Sequence, residues 1–449
     1  MKTIPVTLFY TALFSLQLFS AEPPLDYQEN WPQWRGPSAN GVAPMGNPPQ
    51  EWSENKNIKW KIPIPGRGHA TPVIWDDLIF ILTATATDKK VESSTGAQTK
   101  GNTGYIPFNK GTSKIHQYQV LAINRSDGSI AWQNTARQEL PHEGIQMTAS
   151  WASGSPITDG THIYAWFGSK GLYCYDMSGN LVWDKDLGDM IIKNKWGEGS
   201  SPVLYEDRIV VNWDHEGQSY ITALDKKTGN ELWKIDRDEG TTWTTPLVIE
   251  SQGTNQVITS GRKHLSSYNL DNGELLWEMQ GLPAPEVVPT PVTSDDLLLV
   301  MCGGGRKVSK LRALKLSTIL NSQSSPEALV WSLSKDTPYI PSPLLKDNIL
   351  YFIKGTDDAI SAFNAETGEE YYRRQKLGSG GFLYASPVAA GGRIYIPSRN
   401  GETSVINQGI NFEVLSLNKL NDNFSASPAV VGNELYLRGE KYLYCISAD

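Results

Sequence analysis

Apolar and polar positions alternate in short runs along this chain, and Gly, Asn and Asp interrupt the runs at close intervals. Between residues 156 and 183 the pattern is complete. Pro156-Ile157 opens one run; His162-Ile163-Tyr164-Ala165-Trp166, Leu172-Tyr173-Cys174-Tyr175-Asp176 and Leu181-Val182-Trp183 form three more. Asp159-Gly160, Gly168 to Gly171 and Ser178-Gly179-Asn180 separate them. Runs of this length, rich in β-branched and aromatic residues, predict four antiparallel strands. Gly and Asn supply the positive φ of tight hairpin turns.

The unit recurs. Each copy begins Ser or Thr, then Pro, then an apolar residue, with Pro at 72, 156, 202, 246, 291, 343, 387 and 428, in steps of 84, 46, 44, 45, 52, 44 and 41. A period in the forties signals a repeat architecture. The fourth run carries Trp132, Trp183, Trp233, Trp277, Trp331 or Tyr372, and the third a small residue in one register: Ala122, Cys174, Ala223, Ser267, Ala313, Ala362 or Cys445. These features predict an all-β, eight-bladed β-propeller of four-stranded antiparallel blades. The last repeat ends without a fourth run, whereas Ile58-Lys59-Trp60-Lys61 precedes the first Pro with that pattern. An N-terminal strand is thus expected to complete the C-terminal blade and leave no open sheet edge. The Trp series reads as packing between blades.

Around this ring, 58–449, three segments stand apart. Residues 1–21 read as a secretory signal peptide, with Lys2 ahead of an apolar stretch and Ser20-Ala21 as a cleavage site. Residues 22–57 form an arm with Trp31-Pro32-Gln33-Trp34-Arg35-Gly36-Pro37, expected to pack on the propeller. Residues 84–117 read as a hairpin insertion in the first blade. No later stretch is long and apolar enough to span a bilayer. Cys174 and Cys445 occupy small core positions, and with Cys302 they offer no clustered metal ligands. Net charge is −8, or −9 for 39 basic against 48 acidic residues without the leader. That balance argues against nucleic acid as a partner.

Strand alternation puts the loops that lead into each blade on the same face as those between second and third strands. This face gathers the chemistry. The lead-in loops hold Arg67, His69, Trp151, Trp196, Glu198, Trp243 and Tyr384; the second-to-third-strand loops hold Asp214, His215, Arg306, Lys354, Arg399 and Arg438. Cations and aromatics converging on a concavity are ligand-site materials, suited to a planar anion, a sugar acid or a peptide. His69, His142 and His215 lack a nucleophile motif beside them, so no catalytic or metal-binding residue is assigned.

The Pro-led blades, the Thr-Gly turns and the fourth-strand Trp resemble the pyrroloquinoline quinone (PQQ) repeat family over residues 58–449. Trp31 to Pro37 and Pro65-Gly66-Arg67-Gly68-His69 are similar to its exported, BamB-like members. Quinoprotein dehydrogenases of the family stack PQQ between a Trp and a disulfide of adjacent Cys, and bind Ca²⁺ through Glu, Asn and Asp. The resemblance would give those roles to Trp243 and to Glu198, Asn212 and Asp214, but no two Cys are adjacent here. BamB-type members are scaffolds, usually lipoproteins, and no Cys follows the leader. The expectation is a periplasmic or secreted, non-catalytic module that binds a protein segment or an anionic glycan. The rival is a PQQ-dependent oxidoreductase of alcohols or sugars.

Overall fold

A computed structural model describes residues 23–91, 100–101, 104–105, 108–304, 308–321 and 326–448. Eight four-stranded antiparallel sheets follow one another in sequence. Blade 1 consists of Val73–Trp75, Leu78–Lys90, Lys114–Asn124 and Ile130–Glu139. Blade 2 consists of Ile157–Thr158, His162–Trp166, Leu172–Asp176 and Leu181–Lys185. Blades 3 to 7 span residues 203–237, 247–280, 292–333, 344–376 and 388–419. Blade 8 combines Ala429–Val431, Glu434–Arg438 and Tyr442–Ile446 with the N-terminal strand Ile58–Pro63. Trp60 pairs with Cys445 and Pro63 with Tyr442, so the ring is closed as the pattern predicts.

The repeated residues hold neighbouring blades together. The backbone N–H of seven of the eight Ser or Thr residues before the Pro donates to the hydroxyl of its counterpart one blade on. Thr71 bonds to Ser155, Ser155 to Ser201, and the chain of bonds continues through 245, 290, 342 and 386 to Ser427, at 2.9 to 3.1 Å. Pro follows because its missing N–H leaves the donor before it as the one aimed across the junction. At the outer edge each fourth-strand Trp lies opposite the small third-strand residue, as Trp132 opposes Ala122 and Trp183 opposes Cys174. It then reaches into the next blade: the indole N–H of Trp60, Trp132, Trp183, Trp233 and Trp331 each donates to a carbonyl there. The Gly at φ +70° in the turn of blade 3 lies flat against Trp183; a Cβ on Gly229 would meet that ring at 2.7 Å.

Blade 7 has Ser416 where the aromatic belongs, opposite Val405. The arm supplies the substitute. Trp52, 3% exposed, stacks on Tyr395 at 6.3 Å, and its backbone N–H donates to the Asn418 side-chain carbonyl in that fourth strand. Upstream, the arm crosses the ring. Trp31 exchanges bonds with Ile74 of blade 1, and Pro32 accepts from Thr158 of blade 2. Arg35 donates to Pro343 of blade 6. Ala43 and Asn47 bond to blades 7 and 8. Blades 2 and 6 face each other in an eightfold ring, so Trp31 and Arg35, both fully buried, sit across its axis. Contacts to Asp76 and Gly432 place the arm at the first-to-second-strand turns, the face opposite the lead-in loops. The second and third strands of blade 1 pair out to Lys90 and Lys114, so residues 84–90 and 114–117 of the expected hairpin insertion are its two strand arms.

Candidate functional site

The lead-in loops meet the second-to-third-strand loops, as alternation requires. The Arg399 N–H donates to Phe382, and Phe424 bridges to Gly439. The candidate residues on this face separate into two clusters, with several residues outside both.

One cluster joins blades 7, 8 and 1. Arg399 lies over the Tyr384 ring, 4.9 Å from its centroid. Arg67 and Arg399 share Glu440, at 3.0 and 3.6 Å. Arg67 also donates to the carbonyl of Met147. His69 is half-buried beside them, and burial, then Arg67, Arg399 and Arg438, push its pKa down to about 3. It is therefore a neutral imidazole at ordinary pH. Arg438 is 2% exposed, and burial lowers its pKa to about 10 against the pull of Asp422 and Glu440. Glu440, which the repeat pattern does not single out, completes the cluster by joining two of its arginines. The missing signal was spatial, since residues 67, 399 and 438 meet only because the ring closes.

The other cluster joins blades 1 to 3. Trp151 donates to the Glu143 carbonyl and meets His116 edge-on, ring centroids 4.6 Å apart. Trp196 and Trp243 stack at 6.1 Å, and Trp243 donates to Gly197. Glu198 accepts from the Ser169 N–H at 2.9 Å and its hydroxyl at 2.5 Å, and lies 3.8 Å from His142. Burial raises the pKa of Glu198 and, beside it, of Glu143. Tyr118, Trp151, Trp166 and Phe167 line a cavity of about 30 Å³ between these carboxyls, room for roughly one water.

The remaining candidates are bound up elsewhere. Asp214 is wholly buried and paired with Arg237 at 2.8 and 3.2 Å, and Thr242 donates to it at 2.8 Å. His215 accepts the Ile191 N–H at one ring nitrogen and bonds Gln218 at the other. Asp214 thus faces Arg237, whereas His215 fixes two loops and also lines an open pocket of about 640 Å³ with Lys193, Glu216 and Arg262. Lys354 pairs with Asp336. Arg306 lies outside the described residues. Calcium does not fit the trio suggested by resemblance: Asp214 is neutralised by Arg237, Asn212 turns its amide N–H to Asp214, and Glu198 is engaged with Ser169 in blade 2. Among the described residues no group of three or more His, Cys, Asp or Glu is arranged to hold a metal. Cys174, Cys302 and Cys445 are buried free thiols, so no vicinal disulfide is available to flank a quinone.

The fold and this face define a class, an eight-bladed propeller whose blades are joined by Ser/Thr-Pro and Trp contacts. Residues 116–306 match the family described as outer membrane protein assembly factor BamB, so that part of the ring is similar to the PQQ-repeat, BamB-like propellers. Solved structures agree in fold. BamB from Moraxella catarrhalis is 16% identical, covering 82% of this chain and all of its own, with a TM-score of 0.55. A europium-containing methanol dehydrogenase is 10% identical, over 94% of this chain and 98% of its own, at 0.58. The quinohemoprotein alcohol dehydrogenase from Comamonas testosteroni is 11% identical, over 94% and 81%, also at 0.58. No curated protein matches the chain in sequence.

Proposed function

We propose that this protein is an exported, non-catalytic binding module that holds its partner on the lead-in-loop face. One observation carries the reading. The arm occupies the axis at the opposite face, while arginines from three blades gather with Tyr384 on this one. The carboxylates that an oxidoreductase would need for calcium are engaged in internal bonds, which weighs against the quinone-dependent alternative. The apolar leader supports action in the periplasm or outside the cell. A protein segment and an anionic glycan both suit an arginine-rich face.

The test uses the chain without residues 1–21 on arrays of acidic peptides and glycans. Arg67→Glu with Arg399→Glu should abolish the captured signal and leave the melting temperature close to wild type. Capture that survives this pair rejects the face. Stoichiometric uptake of PQQ with Ca²⁺, followed by dye reduction with alcohols or aldoses, rejects the non-catalytic reading.

A further inference from the structure

Arg438 is a buried guanidinium without an acid in contact. It ends the second strand of blade 8, and its Nη1 donates to the Gly439 carbonyl. Its Nε and Nη2 have no partner among the described residues, and neither does Nε of Arg67 or Nε2 of His69. The two acids acting on Arg438 are already engaged. Asp422 accepts the backbone N–H groups of Asn423, Lys441 and Tyr442. Glu440 is shared by Arg67 and Arg399. Arg67 and Arg399 therefore share one carboxylate, and Arg438 nearby has none in contact. A buried donor left unmet costs stability, and more so when it is charged. Two free N–H groups on a planar fork are matched best by a group with two coplanar oxygens. Beside the cluster, Phe382 is 58% exposed and near Tyr384, with ring centroids 6.5 Å apart. An exposed ring next to a carboxylate receptor suits the apolar face of a sugar better than an extended acidic peptide.

We infer that the Arg67–Arg399–Arg438 cluster binds the carboxylate of an acidic sugar, whose ring rests on Phe382. Arg67 and Arg399 form the accessible rim and Arg438 the buried floor. Neutral His69 offers a hydrogen bond to a sugar hydroxyl without adding charge. The inference rests on the binding-face reading above and narrows it to one ligand class.

Calorimetry on the chain without residues 1–21 tests it with trigalacturonate, neutral trigalactose, pentaglutamate and sodium sulfate. Trigalacturonate should bind and trigalactose should not. Arg399→Gln and Arg438→Met should each weaken trigalacturonate by about tenfold or more, the loss of one charged hydrogen-bonding partner. Phe382→Ala, at an exposed site where folding is not at risk, should weaken it by roughly threefold to tenfold. Equal binding of trigalactose, unchanged binding by Arg399→Gln, or binding of pentaglutamate or sulfate in preference overturns the sugar assignment. So does silence from trigalacturonate. If trigalacturonate fails while another ligand is still lost on Arg67→Glu with Arg399→Glu, only the sugar assignment falls. If no ligand responds to that pair, the binding face falls with it.

Discussion

Arg237 and Arg438 lie beneath the same face of the ring, one on an outer strand and one on an inner strand, and lead opposite electrostatic lives. Both end strands beneath the lead-in-loop face, and both are almost wholly buried. Burial alone would lower the pKa of Arg237, yet Asp214 and Tyr268 hold it above the ordinary value. Its donors are met: Nε and Nη2 by Asp214, Nη1 by Thr259 at 2.6 Å and Tyr268 at 2.8 Å. Arg438 has the same chemistry and burial but no such set, and its pKa falls. A buried charge with a full complement of partners is architecture. One without a counterion marks a place where the fold leaves a demand for something else to meet.

The largest effect should come from breaking the satisfied member. Asp214→Asn leaves Arg237 buried and uncompensated, and should cost about 3–5 kcal/mol in urea unfolding. Asp214→Leu with Arg237→Met should recover most of that loss, since apolar replacement of a whole buried pair is often near neutral. A single substitution costing under about 1 kcal/mol would show Asp214 to be no real counterion, and the contrast would collapse.

Arg438→Met should move the other way by a smaller amount. Removing an unmatched charge and keeping the stem's volume should leave stability unchanged or raise it by about 1 kcal/mol in the absence of ligand. A loss of about 3 kcal/mol would mean that Arg438 has an internal partner and is a second Arg237.

The two arginines also show what the sequence could and could not convey. The ring was legible because its joints are local and repeated. Ser155 and Pro156 carry one bond in seven successive junctions, and Trp183 needs Cys174 opposite it and Gly229 ahead of it. Such requirements recur at a fixed spacing. Trp52 was harder to place, because its site is announced only by a gap, the Ser416 of blade 7 where an aromatic was due. The candidate site was half legible. Topology put Arg67, Tyr384 and Arg399 on one face, and they meet there. No periodicity tells that Asp214 turns inward to Arg237, or that Asp422 exhausts its oxygens on backbone N–H groups, leaving Arg438 without them.

Glu198 sharpens the comparison most finely, because it is a buried charge of the other sign that can neutralise itself. Burial raises its pKa above the ordinary carboxyl value, outweighing His142, Ser169 and Lys170, which pull it down. A carboxyl with a raised native pKa binds its proton more tightly when folded. Its contribution is full below the unfolded pKa and is lost as pH rises through the folded one. Glu198→Gln is neutral throughout and keeps an acceptor for the Ser169 N–H. Its stability relative to wild type should therefore climb as pH rises above about 4, the unfolded carboxyl value, read from urea midpoints at each pH. A difference that stays flat, or falls as pH rises, would mean that His142 and Lys170 hold the carboxylate charged. Glu198 would then belong with Arg237 among the satisfied groups. If the difference climbs, the face carries two unmatched burials with different outlets. The carboxyl sheds its cost by taking a proton. Arg438, lowered to about 10, keeps its charge at neutral pH and gains from an anion that reaches it.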